Sequence, residues 1–164
     1  MTEHWTEPDV CDRLTQVILS YRHWTGLDLV ASSLTKSLAE SVWGAPFALV
    51  AHGTEADPLL WYGNRTALEL WEMDWIQFSS TPSRLTAEAP LREERARLLS
   101  AVTTQGFIQN YNGIRVTKTG RRFLIHTATV WNVLDGQLRT TGQAALFSQW
   151  EWLSEKASNS TPTT

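Results

Sequence analysis

Histidines and carboxylates are the side chains in this sequence that are best suited to proton transfer or metal binding. Of the four histidines, His52 lies near Glu55 and Asp57 in a stretch rich in turn residues. Imidazole and carboxylate groups in one loop are compatible with a zinc site, although such residues are also common in ordinary turns. The pattern favours His52 as a local hydrogen-bonding residue, and no metal site is predicted.

Sequence motifs for catalysis are absent. The chain has no glycine-rich phosphate loop, no nucleophile elbow and no His-Glu-x-x-His pattern. Cys11 is the only cysteine, which excludes an internal disulfide framework and a cysteine-rich zinc site. No catalytic residue is therefore predicted, and any chemistry depends on which polar side chains the fold brings together.

Composition narrows the choice of partners. The 164 residues carry a formal net charge of -3, which argues against a nucleic-acid-binding surface. No apolar stretch approaches the length that spans a bilayer, and no secretory signal is evident, so a cytoplasmic protein with no membrane partner is expected. Nine tryptophans are unusual for this length and are expected mostly in the core.

The N-terminal quarter of the chain has the periodicity of amphipathic helices. Apolar residues recur at helical spacing from Pro8 to Tyr21, and Gly26 ends the run. A second helix is predicted over 27–43. Together these helices form an N-terminal extension, residues 1–42, whose apolar face must cover another surface.

The stretch from Trp43 to Trp75 predicts two strands followed by a helix. Short apolar runs at 47–51 and 59–62 flank a turn-rich segment. Asn64 is a suitable N-cap for the helix behind them, whose apolar face includes Trp71 and Trp75.

The rest of the chain predicts one long helix and three strands. The helix covers about 90–105, with Arg92, Glu93, Arg95 and Arg97 on a solvated face. The strands cover 107–117, 121–134 and 138–152, and the turn at Asp135-Gly136 is a strong hairpin signal. Residues 154–164 are polar and are predicted to be disordered.

Several of these segments resemble the MEKHLA family. The matching stretches are FALVAHGTEADPLLWYGNRTALELWEM (47–73), PSR (82–84), REERARLL (92–99), GFIQNYNGIRVTKTGRRFLIHTATVWNVLDG (106–136) and GQAALFSQW (142–150). The resemblance implies an α+β, PAS-like domain over 43–153. Its five-stranded antiparallel sheet would carry helices on one face, with the N-terminal amphipathic helices covering the other.

The resemblance also limits the functional expectations. In plants such domains end homeodomain leucine-zipper transcription factors, but no basic region or leucine heptad precedes the domain here. The family supplies no agreed ligand or catalytic residues. Among PAS-like sensors, a flavin that forms a cysteine adduct and a haem are both disfavoured, because the expected cysteine and histidine positions are not matched. The cofactor is unknown.

Strand register predicts a cavity on the inner face of the sheet. Two-residue turns at Asp135-Gly136 and Thr119-Gly120 would align Asn110, Asn112, Thr127, Thr129 and Gly142 among larger apolar residues. Inward asparagines need partners, which a ligand would supply. Two alternatives stay open: a fully packed core, and a three-residue turn at 118–120, which would flip the first strand and remove both asparagines from the pocket.

The predicted function is a PAS-like module that senses a small molecule or mediates protein interaction and dimerisation through a partner. A small, planar, partly polar ligand and a homodimer are expected. The alternative is a pocket enzyme, in which Asn110, Asn112 and Tyr62 orient a substrate and His52 or Glu69 transfers a proton. The predicted ligand-binding residues are Tyr62, Asn64, Trp71, Trp75, Asn110, Asn112, Thr127, Thr129, Trp131 and Gly142.

Overall fold

The N-terminal part of the chain forms helices before the first strand begins. The computed structural model describes residues 3–88 and 91–154, so the predicted disordered tail lies almost wholly outside it. A 3₁₀ helix (His4–Thr6) precedes α1 (Pro8–Thr25) and α2 (Leu38–Trp43).

The boundaries of these helices follow from their end residues. Helix α1 ends at Gly26, whose φ of 75° is the left-handed conformation that glycine adopts without strain. The predicted helix over 27–43 is too long, since only its last turns are helical. Ser37 explains where α2 begins, because its side chain accepts a hydrogen bond from the backbone N–H of Glu40.

One antiparallel sheet forms the centre of the molecule. Its strands are β1 (Ala48–His52), β2 (Leu60–Gly63), β3 (Phe107–Val116), β4 (Arg122–Leu134), β5 (Thr140–Phe147) and β6 (Gln149–Trp152). The spatial order is β2-β1-β5-β4-β3, and β6 pairs with β4. Six strands replace the predicted five because the last predicted strand is interrupted at Ser148.

A group of helices covers one face of this sheet, which we call the inner face. It consists of α3 (Arg65–Trp71), α4 (Trp75–Phe78), a 3₁₀ helix (Ser83–Thr86) and α5 (Arg92–Gln105). Buried residues of α3 and α4 pack with Phe123, Ile125 and Phe147 of the sheet. Val102 and Leu98 of α5 pack with Val130.

Helix α1 covers the opposite, outer face. Leu14, Val17 and Tyr21 pack with Trp131 and other sheet residues in a separate core cluster. The Trp131 indole N–H donates to the backbone oxygen of Val17 at 3.2 Å. The predicted α+β PAS-like arrangement, with helices on one face and the N-terminal helical segment on the other, is therefore confirmed.

The register of β4 against β5 differs from the prediction by four residues. A loop over 135–139 replaces the two-residue turn, and Val133 pairs with Gly142 instead of Leu138. Asp135 stabilises this loop, since its Oδ1 accepts hydrogen bonds from the backbone N–H groups of Gln137 and Arg139. Because the shift is even, it preserves the alternation of faces.

The register of β3 against β4 differs by one residue, which exchanges the faces of β3. Val116 pairs with Arg122, and the backbone N–H of Thr117 donates to Arg121. The turn at 118–120 therefore has three residues, which is the alternative left open by the sequence. The exchange places Arg115 on the inner face beside Phe123.

A local irregularity in β3 and β4 also changes which residues face inward. Asn110 and Thr127 have φ values of 59° and 51°, and the β3–β4 register shifts near them. Beyond Thr127 the inward positions of β4 are therefore Ala128 and Val130. The prediction that Trp131 faces inward is wrong for this reason.

Candidate small-molecule site

A cavity lies between the inner face of the sheet and the helices that cover it. The atom-free space in the cavity and at its mouth is about 620 Å³, part of which is open solvent. Its apolar lining includes Val50, Leu60, Trp71, Phe78, Leu98, Leu99, Ile125, Ala128, Val130 and Phe147. Its polar lining consists of His52, Ser83, Thr86, Arg95, Tyr111, Arg115 and Gln143. A mostly apolar pocket with a few convergent polar groups is typical of small-molecule sites.

Asn64 positions the wall of the cavity that α3 provides. Its side-chain oxygen accepts from the N–H groups of Ala67 and Leu49, at 3.2 and 3.0 Å. Its amide nitrogen donates to the backbone oxygens of Val42 and Phe47. Asn64 therefore caps α3 and joins this helix to β1, which places Trp71 over the sheet.

A polar network fixes α5 at the other side of the cavity. The Asn132 amide donates to the Val102 oxygen at 3.1 Å, and the Gln143 amide donates to the Asn132 side-chain oxygen at 3.1 Å. Gln143 also donates to the backbone oxygen of Leu99. These buried bonds hold α5 against β4 and β5, and thereby position Arg95.

Arg95 and Arg115 bring two guanidinium groups to the same cavity. Arg95 donates to the hydroxyl of Ser83, while Arg115 donates to the backbone oxygen of Ile114 at 2.9 Å and to the Tyr111 hydroxyl at 3.2 Å. The Tyr111 hydroxyl itself donates to Glu94 at 3.0 Å. The prediction that Arg95 lies on a solvated face is wrong, because its side chain turns into the cavity.

Burial and like charge act together on Arg95. Removal from water lowers the pKa of its guanidinium, and the nearby positive charge of Arg115 lowers this pKa further, to about 10. The group is still protonated at neutral pH. Arg95 therefore brings a positive charge to the cavity.

His52 adds a hydrogen-bond acceptor to the cavity. Its Nδ1 lies 2.9 Å from the backbone oxygen of Gly53 and must carry the proton, because a carbonyl oxygen only accepts. Burial lowers the pKa of the imidazole, so the ring is neutral and Nε2 is an acceptor. In the described part of the chain this buried Nε2 has no hydrogen-bond partner.

Trp71 adds a matching donor. It is 3% exposed and lines the cavity, and its indole N–H is buried without an acceptor among residues 3–88 and 91–154. A ligand with one acceptor and one donor would satisfy both groups.

Trp71 is the predicted ligand-binding residue that lines this cavity. Asn110, Asn112 and Thr127 are exposed, so their placement on the inner face is wrong. The Asn112 side chain instead accepts from the backbone N–H of Thr127 at 2.9 Å. Asn64 is buried, but all of its hydrogen-bonding groups have protein partners, as described above.

The other predicted residues lie away from the cavity and pack against neighbouring protein groups. Tyr62 packs edge-to-face on Trp75 with ring centroids 5.7 Å apart, and Trp75 stacks on His4. Thr129 lies on the same strand face as Trp131, opposite the face that lines the cavity. A side chain at Gly142 would collide with the backbone oxygen of His52, so glycine permits close approach of β1 and β5.

The groups required by the enzyme alternative do not converge. Glu69 is exposed on α3, and Asn110 and Asn112 are exposed on β3, whereas His52 lines the cavity. Among the described residues no group of three histidine, cysteine or acidic side chains is arranged to hold a metal ion. Cys11 lies in α1, on the other side of the sheet from the cavity, and its thiol donates to the backbone oxygen of Trp5. No helix in the described ranges is long and apolar enough to cross a bilayer.

Comparison with known proteins gives the family and the fold. The family model of the MEKHLA domain matches residues 12–152. The Homeobox-leucine zipper protein HOX29 of Oryza sativa subsp. indica is 25% identical over 121 residues, which are 71% of this chain and 14% of that protein. The chain thus corresponds to a small part of this relative's length.

Two solved structures have the same fold. A PAS domain from Colwellia psychrerythraea has a TM-score of 0.58 at 16% identity, over 66% of this chain and 89% of that chain. The PAS domain of a LuxR-family transcriptional regulator from Burkholderia thailandensis, in complex with ethanol, has a TM-score of 0.54 at 16% identity, over 73% of this chain and 100% of that chain. The family match extends from α1 to β6, and the chain belongs to the MEKHLA domain family, with a PAS-like fold.

Proposed function

We propose that the chain is a sensory module of the PAS type, which binds a small, planar, partly polar molecule between the inner sheet face and the helices. The observation that carries this proposal is the cavity with the unpartnered His52 Nε2 and Trp71 indole N–H. Buried polar groups without partners destabilise a protein by about 1–3 kcal/mol each, so a ligand that bonds to them gains affinity.

The comparisons support this class of function. The PAS domain from Burkholderia thailandensis forms a complex with ethanol, which is a small molecule with one hydroxyl group. In the rice relative the matched region is 14% of the protein, so there the domain is one module of a larger protein. A sensory module needs an output, which we assign to a partner protein.

A homodimer is part of the proposal. Helix α1 covers the outer face, yet Leu19 on this helix is 60% exposed, and Leu27 just beyond it is 57% exposed. A second copy of the chain that packs on this helix would remove these apolar side chains from water. Light scattering on the eluting protein would give twice the monomer mass if the dimer forms, and the monomer mass if it does not.

Ligand binding is tested by native mass spectrometry on the purified chain, combined with a thermal-shift screen against common metabolites. Ala128→Leu fills the cavity, because Ala128 is 2% exposed and lines it. Ala96→Leu makes the same change on the exposed surface of α5 and is the matched control.

We expect a retained small molecule, or a stabilising metabolite, with wild type and Ala96→Leu but not with Ala128→Leu. Circular dichroism establishes that both variants are folded. A clean apo mass and no thermal shift with any metabolite would exclude the sensory proposal.

A further inference from the structure

Two positive charges without a negative partner are the most unusual feature of the cavity. Arg95 comes from α5 and Arg115 from β3, and both line the same space. Arg115 is only 7% exposed. Within residues 3–88 and 91–154 neither guanidinium forms an ion pair with a carboxylate.

The acidic residues near the cavity are engaged elsewhere. Glu94 accepts the hydroxyl of Tyr111, Glu88 pairs with Arg122 at 2.9 Å, and Glu55 accepts from the backbone N–H of Leu59. Glu94 is connected to Arg115 only through the Tyr111 hydroxyl, so among the described residues no carboxylate bonds directly to either guanidinium group. Buried like charges destabilise a protein unless an opposite charge lies close to them.

The two side chains also have hydrogen-bonding capacity to spare. A guanidinium carries five N–H groups, whereas Arg95 makes one hydrogen bond and Arg115 makes two within the described chain. The fork of a guanidinium matches the two oxygens of a carboxylate, and such bonds are about twice as strong as neutral ones.

We propose that the cavity selects organic acids, with Arg95 and Arg115 binding the carboxylate of the ligand while its apolar body lies against Trp71, Phe78 and Leu98. This inference rests on the proposed function, because it names the chemical class of the sensed molecule. The neutral His52 ring and the Trp71 indole N–H are then available to a further polar group on the ligand's body.

The alternative explanation is that the arginines are structural. Arg115 lies over the Tyr111 ring, with its guanidinium carbon 5.6 Å from the ring centroid, and Arg95 bonds to Ser83. A structural role predicts that removing either charge lowers stability equally with and without an anion. A ligand-binding role predicts that the ligand-free protein tolerates or gains from the loss of one charge.

The test uses 1-naphthoate, its neutral amide 1-naphthamide and 1-naphthyl phosphate as probes, with binding measured by isothermal titration. Arg95→Met and Arg115→Met each remove one charge but keep an unbranched side chain. Arg97→Met is the matched control, since Arg97 lies on the same helix with its side chain 68% exposed. Arg115→Gln replaces Arg115→Met if the latter does not fold, because it also removes the charge and keeps an amide N–H donor for the Tyr111 hydroxyl.

We expect 1-naphthoate to bind wild type at least about tenfold more tightly than 1-naphthamide. Arg95→Met and the Arg115 variant should weaken 1-naphthoate by about tenfold or more and leave 1-naphthamide nearly unchanged, while Arg97→Met should behave as wild type. The midpoint of thermal unfolding of ligand-free Arg95→Met at low salt should equal or exceed that of wild type.

Three outcomes would overturn the inference. Equal affinity for the acid and the amide would remove the selectivity and leave the sensory proposal standing. Tighter binding of 1-naphthyl phosphate would exclude the carboxylate as the preferred head group. No binding of 1-naphthoate to wild type at millimolar concentration would exclude organic acids, and the metabolite screen then decides whether the sensory proposal also fails.

Discussion

Asn64 shows how one side chain can join three elements. It is 0% exposed and makes four hydrogen bonds, which cap α3 and tie it to the segment before β1 and to α2. Its type and its place after β2 predict the cap, but its long-range partners depend on the fold. A ligand is not needed to satisfy it.

Asn64→Ala should lower the free energy of unfolding by about 2–4 kcal/mol, because it leaves several buried backbone groups without partners. Chemical denaturation followed by tryptophan fluorescence measures this change. Asn110→Gly is the control, because Asn110 is exposed and glycine adopts its φ of 59° readily. A loss below about 1 kcal/mol for Asn64→Ala would contradict the role assigned to it.

His52 should make stability depend on pH. Burial lowers the pKa of its imidazole in the folded chain, whereas in the unfolded chain the pKa is near its usual value of about 6.5. As the pH falls below about 6.5, His52 takes up a proton in the unfolded state before it does so in the folded state. The free energy of unfolding is therefore highest above this pH and decreases as the pH falls from about 6.5 to the pKa of the folded state.

His52→Gln should therefore lose less stability than wild type between about pH 7.5 and pH 5, and denaturant titrations at several pH values measure the difference. His23→Gln changes an exposed histidine and should follow the wild-type curve. Parallel curves for wild type and His52→Gln would contradict the buried, neutral state of His52.

At the scale of elements, α1 packs on the outer sheet face and buries it. Leu14 is 1% exposed beneath it, while Leu19 on the same helix is 60% exposed. Leu14→Ala should lower the free energy of unfolding by about 2–4 kcal/mol, because it opens a cavity against the sheet. Leu19→Ala should change it by less than about 0.5 kcal/mol. Equal effects in thermal or urea unfolding would mean that α1 does not pack on the sheet as described.

The irregularity in β4 stores backbone strain at Thr127. A β-branched residue at a φ of 51° is unfavourable, whereas asparagine tolerates this conformation. Thr127→Asn should raise the free energy of unfolding by about 0.5–1 kcal/mol. Thr140→Asn, in an exposed strand position without positive φ, should not stabilise the protein. Urea unfolding of both variants measures the contrast, and destabilisation by Thr127→Asn would contradict the strain.

The same irregularity explains what the sequence does and does not predict. Helix and strand positions follow from periodicity, caps and turn residues, so the family, the inner and outer layers and most of the helices were predictable, whereas the helix over 27–43 was predicted too long. The faces of β3 and β4 depend on one residue in the 118–120 turn and on two left-handed residues, and no local pattern specifies these. An error of one residue exchanged Asn110 and Asn112 for Arg115.

The helix that carries Arg95 shows a second limit. Charged residues at helical spacing usually form a solvated face, which correctly describes Arg97 with its 68% exposed side chain. Arg95 differs because the cavity admits its side chain and Ser83 accepts its hydrogen bond. Both facts depend on contacts between segments distant in the chain, which sequence periodicity does not contain.

For the whole molecule, the two faces of the sheet differ in how completely they are packed. The outer side, under α1, is filled by Trp131 and its neighbours, while the inner side retains the cavity with its polar groups. Both faces carry buried core clusters, and the proposed ligand site lies on the inner one. Substitutions under α1 should affect unfolding first, and substitutions that line the cavity should affect binding first.

Ligand binding in the cavity is tested most directly by following the indole N–H resonance of Trp71 in ¹⁵N–¹H spectra during titration with 1-naphthoate and 1-naphthamide. Trp71→Phe assigns the resonance, and Trp152, which is 41% exposed on β6, provides the reference. We predict that the Trp71 resonance shifts saturably with both probes, that the titration gives a higher affinity for the acid than for the amide, and that the Trp152 resonance does not shift in the same way. An unchanged Trp71 resonance with both probes would contradict the claim that this cavity binds organic acids.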